Sequence, residues 1–160
     1  MNRVNIYTDG AAKGNPGPGG YGLILEYKGH IKELFCGFRL TTNNRMELLA
    51  VIIGLESMKE PKQNIMVFSD SKYVVDSINK GWVFEWERKK YKKRKNPDLW
   101  QRFLKIYRQH NVSFTWVKGH AGHAKNERCD KLAVNAANSN ELMIDAGYEN
   151  TQNIDKTLFD

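Results

Sequence analysis

A short, unbroken apolar segment near the middle of the chain limits the folds that the chain can adopt. Residues 65–68 read Ile-Met-Val-Phe and are followed directly by Ser69 and Asp70. A continuous apolar run of this length predicts a strand that is covered on both faces, as at the centre of a parallel sheet. A helix-compatible segment, residues 71–79, comes next. The pattern therefore predicts an α/β domain.

The remaining segments fit such a sheet. Apolar alternation predicts four further strands, and capping signals and helical spacing predict three further helices. The Gly/Pro-rich residues 13–20 cannot continue the first strand, so we expect a loop directly after Asp9. Asn96 and Pro97 are typical of a helix start, with Asn96 as the N-cap. The strands are expected over residues 4–8, 21–27, 31–40 and 112–116, and the helices over 42–58, 97–109 and the segment around 129–136.

Length and charge describe one basic domain. The 160 residues are enough for a single domain with a sizeable core, which we place at residues 1–148. Residues 149–160 are predicted to be a polar, disordered tail. The net charge is +7, but residues 138–160 hold five acids and one lysine, which leaves +11 on residues 1–137. Charge of this kind favours association with a polyanion and does not determine the fold.

Several classes of protein are disfavoured by the composition. Cys36 and Cys129 lie in unrelated contexts without metal-ligand spacing, so neither a disulfide framework nor a structural zinc site is expected. No segment approaches the roughly 20 apolar residues of a membrane span. We expect a cytoplasmic monomer without membrane association.

Four acids occupy positions from which their carboxylates can meet. Asp9 and Asp70 each end a predicted strand, and ligands gather at the carboxyl ends of strands in open α/β sheets. Glu47 and Asp130 lie in the first turns of two predicted helices, from which a side chain can lean over the strand ends. Such a cluster would be repulsive and would raise at least one pKa unless divalent cations were bound. The four acids together therefore predict a metal site in a cationic protein.

Five segments that follow one another over residues 3–148 carry a family resemblance. They are Thr8-Asp9-Gly10, residues 14–22 (Gly-Asn-Pro-Gly-Pro-Gly-Gly-Tyr-Gly), residues 41–48 (Thr-Thr-Asn-Asn-Arg-Met-Glu-Leu), residues 70–74 (Asp-Ser-Lys-Tyr-Val) and residues 116–130, which begin Trp-Val-Lys-Gly-His. Together they resemble bacterial type 1 ribonuclease H (ribonuclease HI). The resemblance implies a ribonuclease H-like fold with a five-stranded mixed sheet flanked by helices. It also implies an endonuclease that hydrolyses the RNA strand of RNA–DNA hybrids and leaves 5′-phosphate and 3′-hydroxyl ends.

The resemblance assigns roles in catalysis to five residues. Asp9, Glu47, Asp70 and Asp130 match the family's metal-binding acids, with Asp9 and Asp70 expected to share ions. It implies two Mg²⁺ ions when substrate is bound, with Mn²⁺ as an alternative. One ion would activate the attacking water and the other would stabilise the leaving 3′ oxygen. His120 matches a loop histidine that assists proton transfer or product release.

Substrate-binding residues follow from the same resemblance. Asn15, Asn43 and Asn44 match positions that contact the minor groove of the hybrid, where 2′-hydroxyls are displayed. Thr42 and Asn96 match a pocket for a DNA-strand phosphate. The remaining residues are Lys72, at a position that is often glutamine in the family and is expected here to contact a phosphate, and Trp82 and Trp86, in a basic protrusion at residues 82–95.

Two other functions compete with this interpretation. One is another nuclease of the same fold superfamily, such as an exonuclease or a transposase-type enzyme, which would not be expected to combine the Gly/Pro-rich loop, the basic protrusion and the histidine loop. The other is a non-catalytic module that binds hybrids. It predicts the loss of at least one acid or of the loop histidine, and all five are present.

Overall fold

A mixed sheet forms the centre of the protein. The computed structural model describes residues 2–119 and 123–159, with side chains described as far as residue 152. The strands are β1 (Val4–Ala12), β2 (Gly17–Tyr27), β3 (His30–Thr41), β4 (Asn64–Ser69), β5 (Asn111–Trp116) and β6 (Leu142–Met143). They lie in the order β5-β4-β1-β2-β3-β6, with antiparallel pairing from β1 to β3 and parallel pairing of β1, β4 and β5. The predicted mixed α/β sheet is confirmed, and β6 adds a sixth strand that is too short to show an alternating pattern.

Helices cover both faces of the sheet. They are α1 (Asn43–Glu56), α2 (Lys72–Asn79), α3 (Trp82–Arg88), α4 (Pro97–Tyr107), α5 (Ala124–Ala137) and α6 (Ala146–Phe159). The apolar run lies in β4, between its parallel neighbours β1 and β5, as predicted. Ile65 and Val67 are buried but Met66 and Phe68 are half-buried, so one face of the strand is less covered than we expected. Among the described residues, none of the helices combines the length and apolar character needed to cross a bilayer.

The first strand is longer than the sequence predicts. We expected it to end at Asp9, but Gly10, Ala11 and Ala12 continue it and pair with residues of β2 as far as Gly19. Local propensity disfavours glycine in strands, yet the antiparallel partner satisfies the backbone hydrogen bonds of this segment. The loop is therefore confined to residues 13–16.

Gly10 permits an unusually close contact between β1 and the start of α1. A β-carbon built on Gly10 would lie 2.4 Å from the backbone nitrogen of Glu47 and 2.6 Å from the carbonyl carbon of Met46. These are backbone atoms, which cannot move aside as the end of a side chain can. Thr42 caps the same helix by accepting a hydrogen bond from the Arg45 amide at 3.3 Å. The backbones of β1 and α1 are thus in direct contact at Glu47.

On the opposite face, α5 approaches the sheet equally closely. Gly20 and Gly22 of β2 and Gly37 of β3 face this helix. A β-carbon on any of the three would lie 2.1–2.6 Å from a carbonyl oxygen of α5. Three glycines across two neighbouring strands therefore set how closely α5, which carries Asp130, approaches the sheet.

A buried ion network ties the C-terminal region to the rest of the domain. Arg45 is buried, and its guanidinium donates two hydrogen bonds to Asp145, at 2.8 and 2.9 Å, and two to Asp98, at 2.7 and 2.9 Å. Thr41 donates a further hydrogen bond to Asp145 at 2.7 Å. Asp145 also accepts a bond from the Tyr148 amide, so it caps α6.

In the structure, residues 149–159 of the predicted tail continue helix α6. Helix α6 continues through residue 159, and Glu149 forms two hydrogen bonds of 2.9 Å with Arg39 of β3. Composition alone missed this helix because its anchors, Arg39 and Arg45, lie about 100 residues away in sequence. The domain boundary at residue 148 stays a prediction.

Replacing Gly10 with alanine is expected to lower the free energy of unfolding by about 3 kcal/mol, because the new β-carbon overlaps the backbone of α1. Urea unfolding followed by circular dichroism measures this value. Gly54→Ala is the matched control. Its β-carbon would meet the flexible side chains of Ile6 and Leu23 at 3.0–3.4 Å, and alanine favours the helix. A loss in Gly10→Ala no larger than in Gly54→Ala would contradict the proposed backbone contact.

Asp145→Asn is expected to cost about 2–3 kcal/mol, since it leaves the buried Arg45 without one of its two carboxylates. Asp98→Asn should cost about 1 kcal/mol or less, because the Asp98 side chain is 44% exposed and water replaces part of the interaction. Unfolding in urea at neutral pH compares the two variants. Equal losses would show that burial of the partner does not govern the strength of this network.

Candidate active site

The parallel pairing of β1 with β4 places Asp9 and Asp70 beside each other. Strands β1 and β4 are parallel neighbours, and Tyr7 lies opposite Phe68 in their register. Each acid is two residues beyond that pair, so both lie at the same edge of the sheet. The predicted convergence of these two acids therefore follows directly from the register.

Helix α1 brings a third acid to the same point. The backbone N–H of Gly10 donates to Asp9 Oδ1 at 2.9 Å and to Glu47 Oε1 at 3.1 Å. One carboxylate oxygen from each of Asp9, Glu47 and Asp70 lies within 4.8 Å of the others. The close contact at Gly10 thus places Glu47 over the strand ends.

Asp130 lies near this group without joining it. It is half-buried on α5, and its charge contributes to raising the pKa of Asp9. Its carboxylate is not part of the set whose oxygens lie within 4.8 Å of one another. Of the four predicted acids, the structure brings three together and leaves the fourth beside them.

The cluster is strongly perturbed electrostatically. Burial raises the pKa of Asp9 to about 7, with further upward contributions from the charges of Asp70 and Asp130, although hydrogen bonds from Glu47 and Gly10 oppose the shift. Burial and then the charge of Asp9 also hold the pKa of Glu47 well above its usual range. Like charges in a poorly solvated place disfavour ionisation, which is the physical cause of both shifts.

The donor set fits a divalent cation. Glu47 Oε2 is buried and has no hydrogen-bond partner among the described residues. An orphaned carboxylate oxygen beside two further carboxylates is costly unless a cation completes its interactions. Mg²⁺ and Mn²⁺ prefer oxygen ligands of this kind. Asp9, Glu47 and Asp70 are therefore the residues that could hold a metal.

Polar side chains border the start of α1. Asn15 accepts a hydrogen bond from the Asn43 amide at 2.9 Å, so the β1–β2 loop is fastened to the helix. Asn43 and Asn44 are exposed in the first turn of α1. The structure thus places Asn15, Thr42, Asn43 and Asn44 around the start of α1.

A basic groove lies along α3 and the segment after it. Its volume is about 990 Å³. Trp82 is 45% exposed on its wall, whereas Trp86 is half-buried and packs edge-on against Trp100 at 5.8 Å between ring centroids. Residues 82–88 of the predicted protrusion form a helix, α3. The groove is lined by Tyr73, Ser77, Trp82, Glu85, Trp86, Lys89, Lys92, Lys93, Arg94 and Lys95.

Helix α4 begins directly after Asn96, as predicted, but the Asn96 side chain does not cap it. Asn96 precedes α4 in a left-handed conformation, with φ of 63°, and its side chain makes no capping hydrogen bond. Its Oδ1 instead accepts from Arg45 Nη1 at 3.3 Å, and its Nδ2 donates to the Tyr73 hydroxyl at 3.1 Å. The amide is thus fixed between the buried ion network and the groove.

Sequence comparison identifies the family. The family model for RNase H matches residues 1–138. A ribonuclease H of Desulforamulus reducens is 57% identical over 150 residues, covering 91% of this chain and 94% of the relative. A ribonuclease HI of Shewanella oneidensis is 52% identical, with coverage of 91% and 94%. The chain belongs to the ribonuclease H family. The predicted resemblance is thereby confirmed.

Solved structures agree with this assignment. LC9-RNase H1, described as a type 1 RNase H with the type 2 active-site motif, has a TM-score of 0.78 and 34% identity, covering 94% of this chain and 80% of the other. LC11-RNase H1, solved in complex with an RNA/DNA hybrid, has a TM-score of 0.65 and 28% identity, with coverage of 84% and 96%. The ribonuclease H-like fold predicted from the sequence is therefore confirmed.

Trp116 is a member of this ribonuclease H site that the sequence analysis did not single out. It is 42% exposed at the end of β5, and its indole N–H donates to the backbone oxygen of Asp70 at 3.1 Å. The ammonium of Lys72 lies 4.9 Å from the centre of its ring. Trp116 could have been identified from the sequence, because it ends a predicted strand and ligands gather at the carboxyl ends of strands. His120, the predicted loop histidine, lies outside the described residues.

The raised pKa of Asp9 predicts how the metal-free protein responds to pH. The pKa of Asp9 is 3.8 in the unfolded chain and about 7 in the folded protein, so the folded state binds the proton more tightly. The resulting stability is fully present below pH 4 and is lost as the pH rises through 7. Glu47→Gln removes a neighbouring acid, so it should weaken this pH dependence and raise the free energy of unfolding at pH 8 by about 1–2 kcal/mol. Urea unfolding in EDTA between pH 4 and 8 tests both expectations. A wild-type protein that gained stability over this range, with no change in the variant, would contradict the cluster's electrostatics.

Proposed function

We propose that this protein is an endoribonuclease that hydrolyses the RNA strand of RNA–DNA hybrids with divalent cations held by Asp9, Glu47 and Asp70. The observation that carries the proposal is the convergence of three buried or half-buried acids in a chain of the ribonuclease H family. One of their carboxylate oxygens, Glu47 Oε2, has no hydrogen-bond partner in the part of the chain that the structure describes. Asp130 completes the set from α5. Its half-buried position beside Asp9 would let it join when an ion and a phosphate are present.

A hybrid is the substrate that the surroundings support. A related ribonuclease H1 has been solved with an RNA/DNA hybrid. The residues before position 138 carry a net charge of +11, which suits a polyanion. We assign Asn15, Asn43 and Asn44 to the minor groove, where 2′-hydroxyls distinguish RNA from DNA. We assign Thr42 and Asn96 to a phosphate of the DNA strand, and Lys72, Trp82 and Trp86 to further backbone contacts.

The chain's own groups divide the work of the reaction. Divalent ions, when bound, would stabilise the charge that develops on the scissile phosphate and lower the pKa of water. Asp9, Glu47 and Asp70 would hold the cations in place, and the Gly10 N–H orients two of these carboxylates toward each other. The Trp116 indole restrains the backbone of Asp70. We assign proton transfer or product release to His120.

The finer points of the proposal follow from the family. We propose Mg²⁺ as the working ion, with two ions bound in the presence of substrate and Mn²⁺ as a substitute. The products would carry 5′-phosphate and 3′-hydroxyl ends. We further propose that the enzyme acts as a cytoplasmic monomer.

Cleavage of an RNA–DNA hybrid labelled on the 5′ end of its RNA tests the function. The intact protein with Mg²⁺ should cut only the hybrid RNA, and not single-stranded RNA, duplex RNA or duplex DNA. Asp70→Asn should reduce the rate to below about a thousandth of wild type, because it removes a charged metal ligand. Asp76→Asn, at a half-buried position of the next helix where Asp76 pairs with Lys80 at 3.7 Å, is the matched control and should cut at the wild-type rate.

Two outcomes would overturn the proposal. Tight binding to the hybrid without cutting, in either Mg²⁺ or Mn²⁺, would identify a binding module. Cutting of duplex DNA at a rate comparable to hybrid RNA would identify another type of nuclease on this fold.

A further inference from the structure

Tyr73 of α2 lines the basic groove and is joined to Asn96, but the family resemblance gives it no role. Its hydroxyl oxygen accepts two hydrogen bonds, from Asn96 Nδ2 at 3.1 Å and from the Trp100 indole N–H at 2.9 Å. Trp100 is fully buried, so this arrangement is held from the core side. The side chain of Tyr73 is itself only half-buried and contributes to the wall of the groove.

These two bonds fix the direction of the hydroxyl hydrogen. A phenol oxygen has one hydrogen to donate and about two positions at which it can accept. The indole N–H can only donate. The orientation of the Asn96 amide is also settled, because its Oδ1 faces Arg45, which has no acceptor. Both acceptor positions of Tyr73 are therefore filled, its hydrogen points away from Asn96 and Trp100, and no described residue accepts it.

The same pattern recurs at the neighbouring polar residues assigned to the substrate. The oxygen of Asn15 accepts from the Asn43 amide, and the hydroxyl of Thr42 accepts from the Arg45 amide. Asn96 Nδ2 uses one of its two hydrogens on Tyr73 and keeps the other. In each case the protein satisfies the acceptor and leaves a donor without a described partner. Each of these donor hydrogens can bind an oxygen of the substrate, whether of a phosphate or of a 2′-hydroxyl.

The charges around Tyr73 favour a phosphate. Five cations line the groove with it: Lys89, Lys92, Lys93, Arg94 and Lys95. The single acid on the wall, Glu85, is paired with Arg88 at 2.6 Å. An electropositive groove with a directed hydroxyl donor is suited to a backbone phosphate.

We propose that the Tyr73 hydroxyl donates a hydrogen bond to a phosphate of the DNA strand, beside the phosphate contact of Asn96. Tyr73 is then a substrate-binding residue of this enzyme. The inference rests on the proposed function, because it needs a hybrid in the groove. Asn96 donates one amide hydrogen to Tyr73, so the two side chains are adjacent. The remaining amide hydrogen of Asn96 and the hydroxyl hydrogen of Tyr73 can therefore bind neighbouring phosphate oxygens of the DNA strand.

Tyr73→Phe tests the proposal, since it removes the hydroxyl and keeps the ring. Binding of a fluorescent hybrid in EDTA, where no cutting occurs, should weaken about tenfold, as expected for a lost hydrogen bond to a charged group. With Mg²⁺, KM should rise by a similar factor while kcat stays within twofold of wild type. Tyr107→Phe is the matched control, because Tyr107 belongs to the neighbouring aromatic cluster and does not line the groove. It should bind like wild type.

A scan of neutral methylphosphonate linkages separates a direct contact from a structural effect. Neutralising one particular DNA-strand linkage should weaken hybrid binding by the wild-type protein about tenfold. The same replacement should not weaken binding by Tyr73→Phe, whereas neutral linkages at other contacted phosphates should weaken binding by both proteins. Thermal melting ensures that binding is measured where Tyr73→Phe is folded, since Trp100 loses its acceptor in this variant.

Three results would overturn the inference. The first is that Tyr73→Phe binds the hybrid with wild-type affinity. The second is that neutral linkages weaken its binding equally at every position, and the third is that the effect of the substitution depends only on linkages of the RNA strand. Each is distinguishable from failure of the proposed function, in which the wild-type protein itself would neither bind nor cut the hybrid.

Discussion

The contact between Gly10 and the first turn of α1 is the constraint on which the site depends. Without a side chain at this position, the backbone of β1 reaches the backbone of α1, where a β-carbon would lie only 2.4 Å from the Glu47 nitrogen. The same residue supplies the N–H that binds both Asp9 and Glu47. Since Asp9 precedes Gly10 in the strand, one glycine sets the separation of two acids that belong to different layers of the fold. The register of β1 with β4 then adds Asp70.

Holding these acids together opposes folding, and the structure offsets the cost elsewhere. Burial and mutual repulsion raise the pKa of Asp9 and Glu47, so the metal-free site is destabilising near neutral pH. The same helix that delivers Glu47 also carries Arg45, which binds Asp98 and Asp145. For Asp98, burial alone would raise the pKa, but the hydrogen bonds and charge of Arg45 outweigh it and hold the pKa below the usual range. Glu47 thus contributes an unfavourable electrostatic interaction with Asp9, and Arg45, two residues before it in α1, contributes favourable ones with Asp98 and Asp145.

Much of the fold and most of the acid site could be predicted, because both depend on local patterns. The apolar run at residues 65–68 predicted β4, and the positions of Asp9 and Asp70 after apolar segments predicted that the two acids meet, although β1 continues past Asp9 to Ala12. The failures have a common physical origin in contacts between residues distant in sequence. The extension of β1 depends on pairing with β2. Helix α6 is anchored to Arg39 and Arg45, and the Asn96 side chain binds Tyr73 and Arg45 instead of capping α4.

This protein combines an acidic site with a cationic groove, and the ion pairs on its surface affect how much of the groove's positive charge is available. Several surface glutamates bind arginines through paired hydrogen bonds, as in Glu56 with Arg102 and Glu87 with Arg108, whereas Glu26 binds Lys125. Among the described residues, the lysines that line the groove form no ion pair with an acid, and the set is Lys89, Lys92, Lys93 and Lys95. Arginine suits the fixed geometry of a carboxylate pair, whereas a flexible lysine can follow a phosphate backbone. Pairing these glutamates with arginines therefore leaves the positive charge of the groove available to substrate.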